Sequence, residues 1–476
     1  SSHRLSVGPR LHGPLASPEA RGSAQRSGMS ILTEPLDEEK SSAAAPVLGV
    51  AGGNVYLEVN LKDKHGSEPK TPLWTLKAMQ FLIFGANVCL LRYITVYYDA
   101  IGLTRDQMGL LLVILPMSTF VGNMFWGTVV DHVGEFKRTL VSTSVGAILV
   151  VFLYLLPAVR QSLPLLMIVT ALHGFMTAPS GPILDALCLS VLKEQPESGE
   201  EYGDQRLWSA FGWAFMGLVA GYLVDIYGTS SIFFCFAALV TANTYIICRY
   251  MPAKKRTSQA PAGDAPTARL LDVLKSKEAV WLFVNLMVYG NFMALVESYL
   301  NVFLVEEFLD VPMSLLGMAT FVMCMCEIPV FKYVSRLWNG GKGSIGLVNA
   351  LLAAELLLSV RCVLYAYLPR EHPWLVLFVQ PLHGITHSMM WSATVECARR
   401  LAKPGTEAKM QALVNGLFYQ ISYGFGSFLW GMAVLKPPAG LGFSRCFMLD
   451  AGLVVVWFLI ARLSWMKIRK SATYFS

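Results

Sequence analysis

The sequence is poor in charged residues. Asp, Glu, Lys and Arg make up 15% of its 476 residues, whereas a soluble domain carries about 25%. Hydrophobic residues make up 54%, and the mean hydropathy is +0.49. These values exclude an ordinary soluble protein and indicate an integral membrane protein whose first partner is the lipid bilayer. The net charge of +6 is small and dispersed, so we expect no nucleic-acid partner.

The sequence also lacks the short motifs of common enzymes. It contains no phosphate-binding G-x-x-x-x-G-K-[ST] loop, no G-x-S-x-G nucleophile elbow and no H-E-x-x-H zinc motif. We therefore expect no enzyme activity, no ATP-driven transport and no cofactor. No C-x-x-C pair occurs, which favours free thiols over a structural disulfide. His383 and His387 have metal-ligand spacing, but no clear third ligand joins them, so we expect no metal.

What the sequence has instead is a series of long apolar runs. We identify twelve between Trp74 and Lys467, each of about twenty residues, which is the length that crosses roughly 30 Å of hydrocarbon. The predicted spans cover residues 73–101, 107–130, 139–159, 163–192, 205–228, 230–251, 278–306, 312–338, 344–368, 373–401, 408–435 and 443–466. Two sets of six around a polar linker are a layout typical of transporters.

This pattern predicts five segments and an orientation. The segments are a disordered N-terminal cytoplasmic tail (1–72), an N-terminal six-helix bundle (73–251), a cytoplasmic central linker (252–277), a C-terminal six-helix bundle (278–466) and a cytoplasmic C-terminal tail (467–476). Lys and Arg collect in the loops on one side, including Lys137, Arg138, Lys254 and Lys342. Cytoplasmic loops carry an excess of these residues, so we expect both termini in the cytoplasm. We expect a monomer in the plasma membrane.

Several charged side chains lie well inside the predicted spans. At a helix centre such a charge costs about 2.5–3.5 kcal/mol, so these side chains should face a cavity or pair across helices. We predict that a solute-binding cavity between the halves is lined by Arg92, Tyr93, Glu297, Asn301, Arg361 and His383. Arg92 and Glu297 lead this set because they occupy nearly equivalent places in the first span of each half. Interhelical salt bridges remain the alternative reading of each charge.

Other ionisable side chains in the spans are candidates for proton coupling. A carboxylate in a low-dielectric site can cycle between its charged and neutral forms as its access to water changes, and histidines can relay protons. The candidates are Asp185, Glu297, Glu327, Glu396 and His173. For the histidines, a neutral hydrogen-bonding role between helices is the alternative.

The loop after the second predicted span combines small, acidic and basic residues. It reads Gly127-Thr-Val-Val-Asp131-His-Val-Gly134-Glu-Phe-Lys137-Arg138. Gly127 allows close packing, Asp131 can cap a helix N-terminus or pair with a cation, and the basic pair stays at the cytoplasmic surface. The loop resembles the signature of the major facilitator superfamily, G-x-x-x-D-x-x-G-x-x-[KR]-[KR]. We expect it to act as a latch that gates the transporter.

A second motif narrows the resemblance. Residues Tyr202-Gly203-Asp-Gln-Arg206-Leu-Trp208-Ser-Ala-Phe-Gly212-Trp213 follow Asp185 in the chain. This sequence resembles the lactose-permease-like branch of the superfamily, which includes nucleoside–proton symporters and orphan eukaryotic relatives. The resemblance covers approximately residues 75–465. It implies an all-α membrane protein with twelve transmembrane helices in two pseudo-symmetric six-helix bundles.

The function that these features predict is secondary active transport. A small polar solute, sugar-like or nucleoside-like by the resemblance, would bind between the bundles and enter by alternating access with H+ as the coupled ion. Two alternatives stay open at this point. One is a receptor or scaffold that kept the fold and lost transport, and the other is a facilitator without proton coupling.

Overall fold

The chain forms two units, residues 1–69 and 70–476. The computed structural model describes residues 47–51, 54–58, 71–133, 136–195, 198, 202–251, 276–334, 336–339, 344–402, 407–471 and 474–475. In the first unit, strand β1 (Val47–Ala51) pairs antiparallel with β2 (Asn54–Glu58), with Val47 opposite Glu58. This hairpin lies in the segment predicted to be disordered. Two Val-containing runs around a Gly-Gly pair are a hairpin signal.

In the described residues of the second unit, all regular secondary structure is helical. Its helices are α1 (Leu73–Leu91), α2 (Ile94–Ala100), α3 (Arg105–Val133), α4 (Phe136–Leu153), α5 (Pro157–Arg160), α6 (Leu163–Thr177), α7 (Ser180–Glu194), α8 (Tyr202–Tyr227), α9 (Ser231–Tyr250), α10 (Lys277–Glu307), α11 (Met313–Tyr333), α12 (Arg336–Asn339), α13 (Leu347–Ala366), α14 (Val376–Leu401), α15 (Glu407–Asn415), α16 (Tyr423–Ala433) and α17 (Phe443–Ile468). Short 3₁₀ turns occupy Pro373–Leu375 and Arg469–Ser471. We call α1–α9 the N-terminal bundle and α10–α17 the C-terminal bundle.

Ten of the twelve predicted runs are helices long and apolar enough to cross a membrane within the described residues. The other two are helical but depart from that pattern. Helix α14 carries His383, His387, Glu396 and the basic pair at its end, so its apolar character is low. The eleventh run is divided into α15 and α16 by a π-helical segment, Gly416–Ser422. Segments of this kind are frequent at functional sites. Most of the predicted central linker lies outside the described residues.

The first membrane-crossing helix is broken in its second half, between Leu91 and Ile94. Helix α1 ends at Leu91, Arg92 closes it with a backbone N–H to the carbonyl of Val88 at 3.1 Å, and α2 begins at Ile94. The free backbone carbonyl of Arg92 accepts a hydrogen bond from Asn301 Nδ2 in the C-terminal bundle. A broken helix is tolerated at membrane depth only where its freed polar groups are satisfied. The break therefore places Arg92 at the junction between the bundles.

Small residues bring the helices into close contact. Gly212 of α8 lies against the backbone of Phe81 in α1, where a Cβ atom would overlap the Phe81 carbonyl oxygen. Between the bundles, a Cβ at Gly317 of α11 would come within 2.8 Å of the Gly217 carbonyl of α8. Helix association in lipid relies on such close backbone approach because lipid supplies no hydrophobic driving force.

At one end of the bundle interface, a residue of the N-terminal bundle caps a helix of the C-terminal bundle. Helix α11 begins after Pro312, whose side chain makes no cap. Asp225, at the end of α8 in the other bundle, accepts hydrogen bonds from the backbone N–H groups of Met313 at 2.6 Å and Ser314 at 2.8 Å. The first N–H groups of a helix need such acceptors. Asp225 thus ties the two bundles together at this end.

Candidate functional site

The centre of the bundle interface is occupied by an ion pair. Glu297 lies in the middle of α10, and Arg92 lies at the break between α1 and α2. Arg92 Nη1 is 3.0 Å from Glu297 Oε2, and its Nη2 lies 3.2 Å from the sulfur of Met323 in α11. The side chains of Arg92 and Glu297 retain 14% and 11% of their exposure. The two charges that the sequence placed at equivalent positions therefore meet across the interface.

Glu297 has two further partners in the C-terminal bundle. Arg361 of α13 donates from Nη2 to Glu297 Oε1 at 3.3 Å, and its Nε donates to the Tyr365 hydroxyl at 3.1 Å. His383 Nδ1 of α14 lies 2.8 Å from Glu297 Oε1. One carboxylate therefore gathers two guanidinium groups and an imidazole from three different helices.

A second carboxylate adjoins the first through the histidines. Glu327 Oε1 of α11 lies 3.7 Å from His383 Nε2 and 3.5 Å from His387 Nδ1. The two imidazole rings stack with centroids 5.7 Å apart because residues four apart share one helix face. His387 Nε2 makes a 2.9 Å hydrogen bond with the Tyr419 hydroxyl. His383 thus stands between the two carboxylates.

The charges of this central site balance when both histidines are neutral. Arg92 and Arg361 contribute two positive charges, and Glu297 and Glu327 contribute two negative charges. His387 keeps 22% of its side-chain exposure and Glu327 keeps 12%, so the site borders an open space. Among the described residues, no group of three His, Cys, Asp or Glu side chains is arranged to hold a metal ion.

Two predicted cavity residues have structural partners. Tyr93 is fully buried and donates its hydroxyl to the Gly217 carbonyl at 2.8 Å, within the N-terminal bundle. Asn301 binds the freed carbonyl of Arg92, which supports the helix break. Arg92, Glu297, Arg361 and His383 are the members of the predicted set that the structure brings into mutual contact.

Three proton-coupling candidates lie outside the central site. Asp185 Oδ1 accepts from Gln80 Nε2 at 3.1 Å and from Arg206 Nη1 at 3.3 Å. Glu396 forms ion pairs at 2.8 Å with the two arginines that follow it on α14. His173 is buried among aromatic rings, and its Nδ1 has no hydrogen-bond partner among the described residues. Their roles in coupling stay predictions.

The predicted latch loop is described only in part. Lys137, at the start of α4, donates from Nζ to the carbonyls of Cys248 at 2.8 Å and Met251 at 2.9 Å. A cation suits this place because unpaired carbonyls gather at a helix C-terminus. Gly127 has open space where a Cβ would lie, and Arg138 is exposed. Gly134 and the side chain of Asp131 lie outside the described residues.

The motif at residues 202–213 forms the first part of α8 and packs this helix against its neighbours. Arg206 pairs with Asp185 and lies 4.3 Å from the centroid of the Phe84 ring. Gly212 makes the close contact with α1, while Trp208 is 40% exposed. Trp213 is half-buried, and the side chains at Tyr202 and Gly203 lie outside the described residues.

The comparison with known sequences gives the family. The pattern of the MFS_1 like family matches residues 73–438. The chain belongs to the MFS_1-like family. This MFS_1-like protein is 27% identical over 388 residues to the maltose permease of Geobacillus stearothermophilus, covering 80% of this chain and 93% of that protein. It is 24% identical over 386 residues to the sucrose permease of Escherichia coli, covering 76% and 83%.

Solved structures confirm the fold of this MFS_1-like protein. The nucleoside transporter NupG aligns with a TM-score of 0.69 at 15% identity, covering 83% of this chain and 98% of that chain. A peptide transporter of the POT family bound to sulfate aligns with a TM-score of 0.66 at 12% identity, covering 83% and 94%. The predicted all-α major facilitator fold is therefore confirmed. The protein is a multi-pass membrane transporter and not an enzyme.

Sequence reasoning gave Tyr419 no role in the site. The tyrosine lies in the π-helical segment between α15 and α16, and its hydroxyl meets His387. Its orientation depends on the extra residue in that turn, which the apolar pattern of the run does not show. The flanking Gly416 and Gly424 are the only local signal. His387 was noted for its spacing from His383, and the structure adds its contact with Glu327.

Proposed function

We propose that the protein is a secondary active transporter that moves a small polar solute, sugar-like or nucleoside-like, by alternating access with H+. The observation that carries this proposal is the Arg92–Glu297 ion pair, which joins the two bundles at a partly exposed polar site. The names of two relatives, a maltose permease and a sucrose permease, support a sugar-like solute. The shared fold of NupG agrees with a transporter of small polar molecules.

The chemistry of the central site suits a neutral solute with hydroxyl groups. Guanidinium N–H groups donate hydrogen bonds, carboxylate oxygens accept them, and a hydroxyl can do both. Arg92 and Glu297 retain exposed surface for such contacts. Because the four charges balance, a neutral ligand leaves the electrostatics of the site undisturbed.

Within this site, Glu327 is the group that we propose to exchange the proton. Glu297 faces two guanidinium groups, which hold its negative charge in place. Glu327 faces imidazoles at 3.5 and 3.7 Å, and a neutral imidazole gives a carboxylate no such fixed counter-charge. His383 lies between the two carboxylates and can pass a proton or report its presence to the solute site.

The contacts at the bundle ends support an inward-facing conformation. Asp225 caps α11 at the end that the positive-inside rule places outside, and Arg105 of α3 pairs with Glu306 of α10 at the same end. We infer that both pairs separate when the transporter opens outward. Alternating access would then exchange these outer contacts for inner ones while the central site stays near the midplane.

The experiment that tests the proposal is a flux assay in proteoliposomes. Radiolabelled maltose, sucrose and a nucleoside are offered with and without an imposed pH gradient, and Arg92→Gln vesicles serve as the matched control. We expect at least one solute to accumulate above its external concentration only with the gradient. At 100 mV, one coupled charge supplies about 2.3 kcal/mol, or roughly fifty-fold accumulation. Entry of every solute at the control rate would overturn the proposal.

An uncoupled facilitator is the second candidate. The observation that favours it is the complete pairing of Glu297, which has an ion-pair partner at each carboxylate oxygen. A carboxylate held in this way has little tendency to take up a proton. The same vesicles separate the two candidates, because a facilitator equilibrates the solute at a rate that ignores the pH gradient.

A further inference from the structure

Glu355 is a carboxyl group buried inside the C-terminal bundle, away from the central site. It lies on α13 and is fully buried. Asn285 Nδ2 of α10 donates a hydrogen bond to its Oε1, while its Oε2 is buried with no hydrogen-bond partner. Among the described residues, no Lys, Arg or His forms an ion pair with it. Its environment therefore offers one neutral donor and no counter-charge.

An ionised carboxylate in this place would be strongly disfavoured. Burial removes the hydration of a charge, and only a counter-charge or several donors can replace that loss. A protonated carboxyl group carries no charge, so its burial costs far less even though its hydroxyl group finds no acceptor among the described residues. We propose that Glu355 is a second proton-binding site of this transporter, located within the C-terminal bundle and linked to the central site through Tyr289.

Tyr289 supplies the link. It lies on α10 one turn after Asn285, is 1% exposed, and its buried hydroxyl has no hydrogen-bond partner among the described residues. It stands on α10 between Asn285 and Glu297, within electrostatic range of Glu355, Arg361 and Glu297. A change of charge at Glu355 is thus felt by the network that holds the central carboxylate. This electrostatic coupling between Glu355 and the central site does not require the solute to contact Glu355.

Two hydrogen bonds connect Glu355, through Asn285, to Trp457 of α17. Trp457 Nε1 of α17 donates to Asn285 Oδ1 at 2.8 Å, and the same amide donates to Glu355. Trp457 also lines a groove of about 410 Å³ between α10 and α17, together with Lys277 and Ser464. Lys277 begins α10 on the side that the sequence predicts to be cytoplasmic. The series therefore reaches from the carboxyl group to a groove on that side.

Two other buried ionisable groups on the helices packed against α13 have contacts away from Glu355. Asp450 of α17 accepts from the Cys362 thiol at 3.2 Å, further along α13. Cys397 of α14 interacts with Arg400, Glu396 and Glu278. Tyr289 is one ionisable group within electrostatic range of Glu355. The protonation of Glu355 is accordingly set by burial and by the amide of Asn285.

Infrared spectroscopy tests the bound proton without reference to transport. In the wild-type minus Glu355→Gln difference spectrum at neutral pH, we expect the C=O band of a protonated carboxylic acid. The Gln variant keeps the size and the acceptor oxygen, and any band of the buried Asp450 cancels in the difference. Glu396→Gln is the matched control and should keep the band, because Glu396 is paired with two arginines. A wild-type minus Glu355→Gln spectrum that shows carboxylate bands instead would overturn the proposal.

Flux measurements test whether this proton takes part in coupling, and this arm rests on the proposed function. Glu355→Gln imitates a permanently loaded site, so exchange of solute should continue while the accumulation ratio falls toward one. Tyr289→Phe should keep the infrared band and lower pH-driven accumulation. Wild-type accumulation in Glu355→Gln would refute the coupling role. A wild type that ignores the pH gradient would instead refute the proposed function, and the infrared result would still decide the site.

Discussion

Glu297→Gln is expected to damage the protein more than Arg92→Gln. Removal of the Glu297 charge leaves the buried Arg361 and the partly exposed Arg92 without their counter-charge, since both contact that carboxylate within 3.3 Å. Breaking a buried pair in this way costs about 3–5 kcal/mol. Arg92→Gln removes one partner and leaves Glu297 with Arg361 and His383. We expect a smaller loss of about 1.5–3 kcal/mol, the contribution of one hydrogen bond to a charged group.

A double-mutant cycle in detergent-solubilised protein measures this asymmetry. Thermal unfolding of the two single variants, the double variant and the wild type gives the ranking, and solute binding is followed in parallel. The double variant should be less impaired than the sum of the single variants. The charge exchange Arg92→Glu with Glu297→Arg should not rescue, because the new guanidinium would lie against Arg361. An equal or reversed order of the single variants, or full rescue by the exchange, would refute the reasoning.

Three further changes have defined outcomes. Asp225→Ala removes the acceptor of two N–H groups at the start of α11, and a helix cap of this kind contributes about 0.5–2 kcal/mol to stability. Thiol labelling of the outer cavity should therefore show a roughly two- to thirty-fold shift toward the outward-facing state. Unchanged labelling would count against the cap between the bundles. Tyr419→Phe deletes the hydrogen bond to His387 and should shift the pH profile of solute uptake while the maximal rate of exchange is kept. An unchanged pH profile would show that Tyr419 has no role in the site. Gly212→Leu places a side chain against the Phe81 backbone and should lower the yield of folded protein in size-exclusion chromatography. Gly127→Leu is the control and should leave that yield unchanged, because a Cβ at Gly127 faces open space.

The sequence predicted the charges of the central site because the membrane makes them conspicuous. Arg92, Glu297 and Arg361 interrupt apolar runs, and each had to face a cavity or a partner. The structure combines the two alternatives, since these charges pair with one another while Arg92 and Glu297 keep exposed surface. The fold followed from the number and length of the apolar runs together with the family motifs.

Contacts that depend on distant parts of the chain were beyond sequence reasoning. Asp225 caps a helix that begins 88 residues later, and only the packing of α8 on α11 brings them together. Tyr419 reaches His387 through a π-helical turn that apolar periodicity does not reveal. Tyr93 was expected in the cavity as an aromatic hydroxyl, yet its hydroxyl turns to the Gly217 carbonyl within its own bundle. Local pattern identifies which side chains are unusual but not which partners they find.

Proton coupling is tested most directly by the movement of protons when solute is added. De-energised proteoliposomes are mixed with the transported solute in a weakly buffered medium, and the external pH is recorded. We expect solute entry to make the medium more alkaline, and Glu327→Gln to abolish this signal while solute exchange continues. Solute entry without any change of external pH in the wild type would contradict proton coupling.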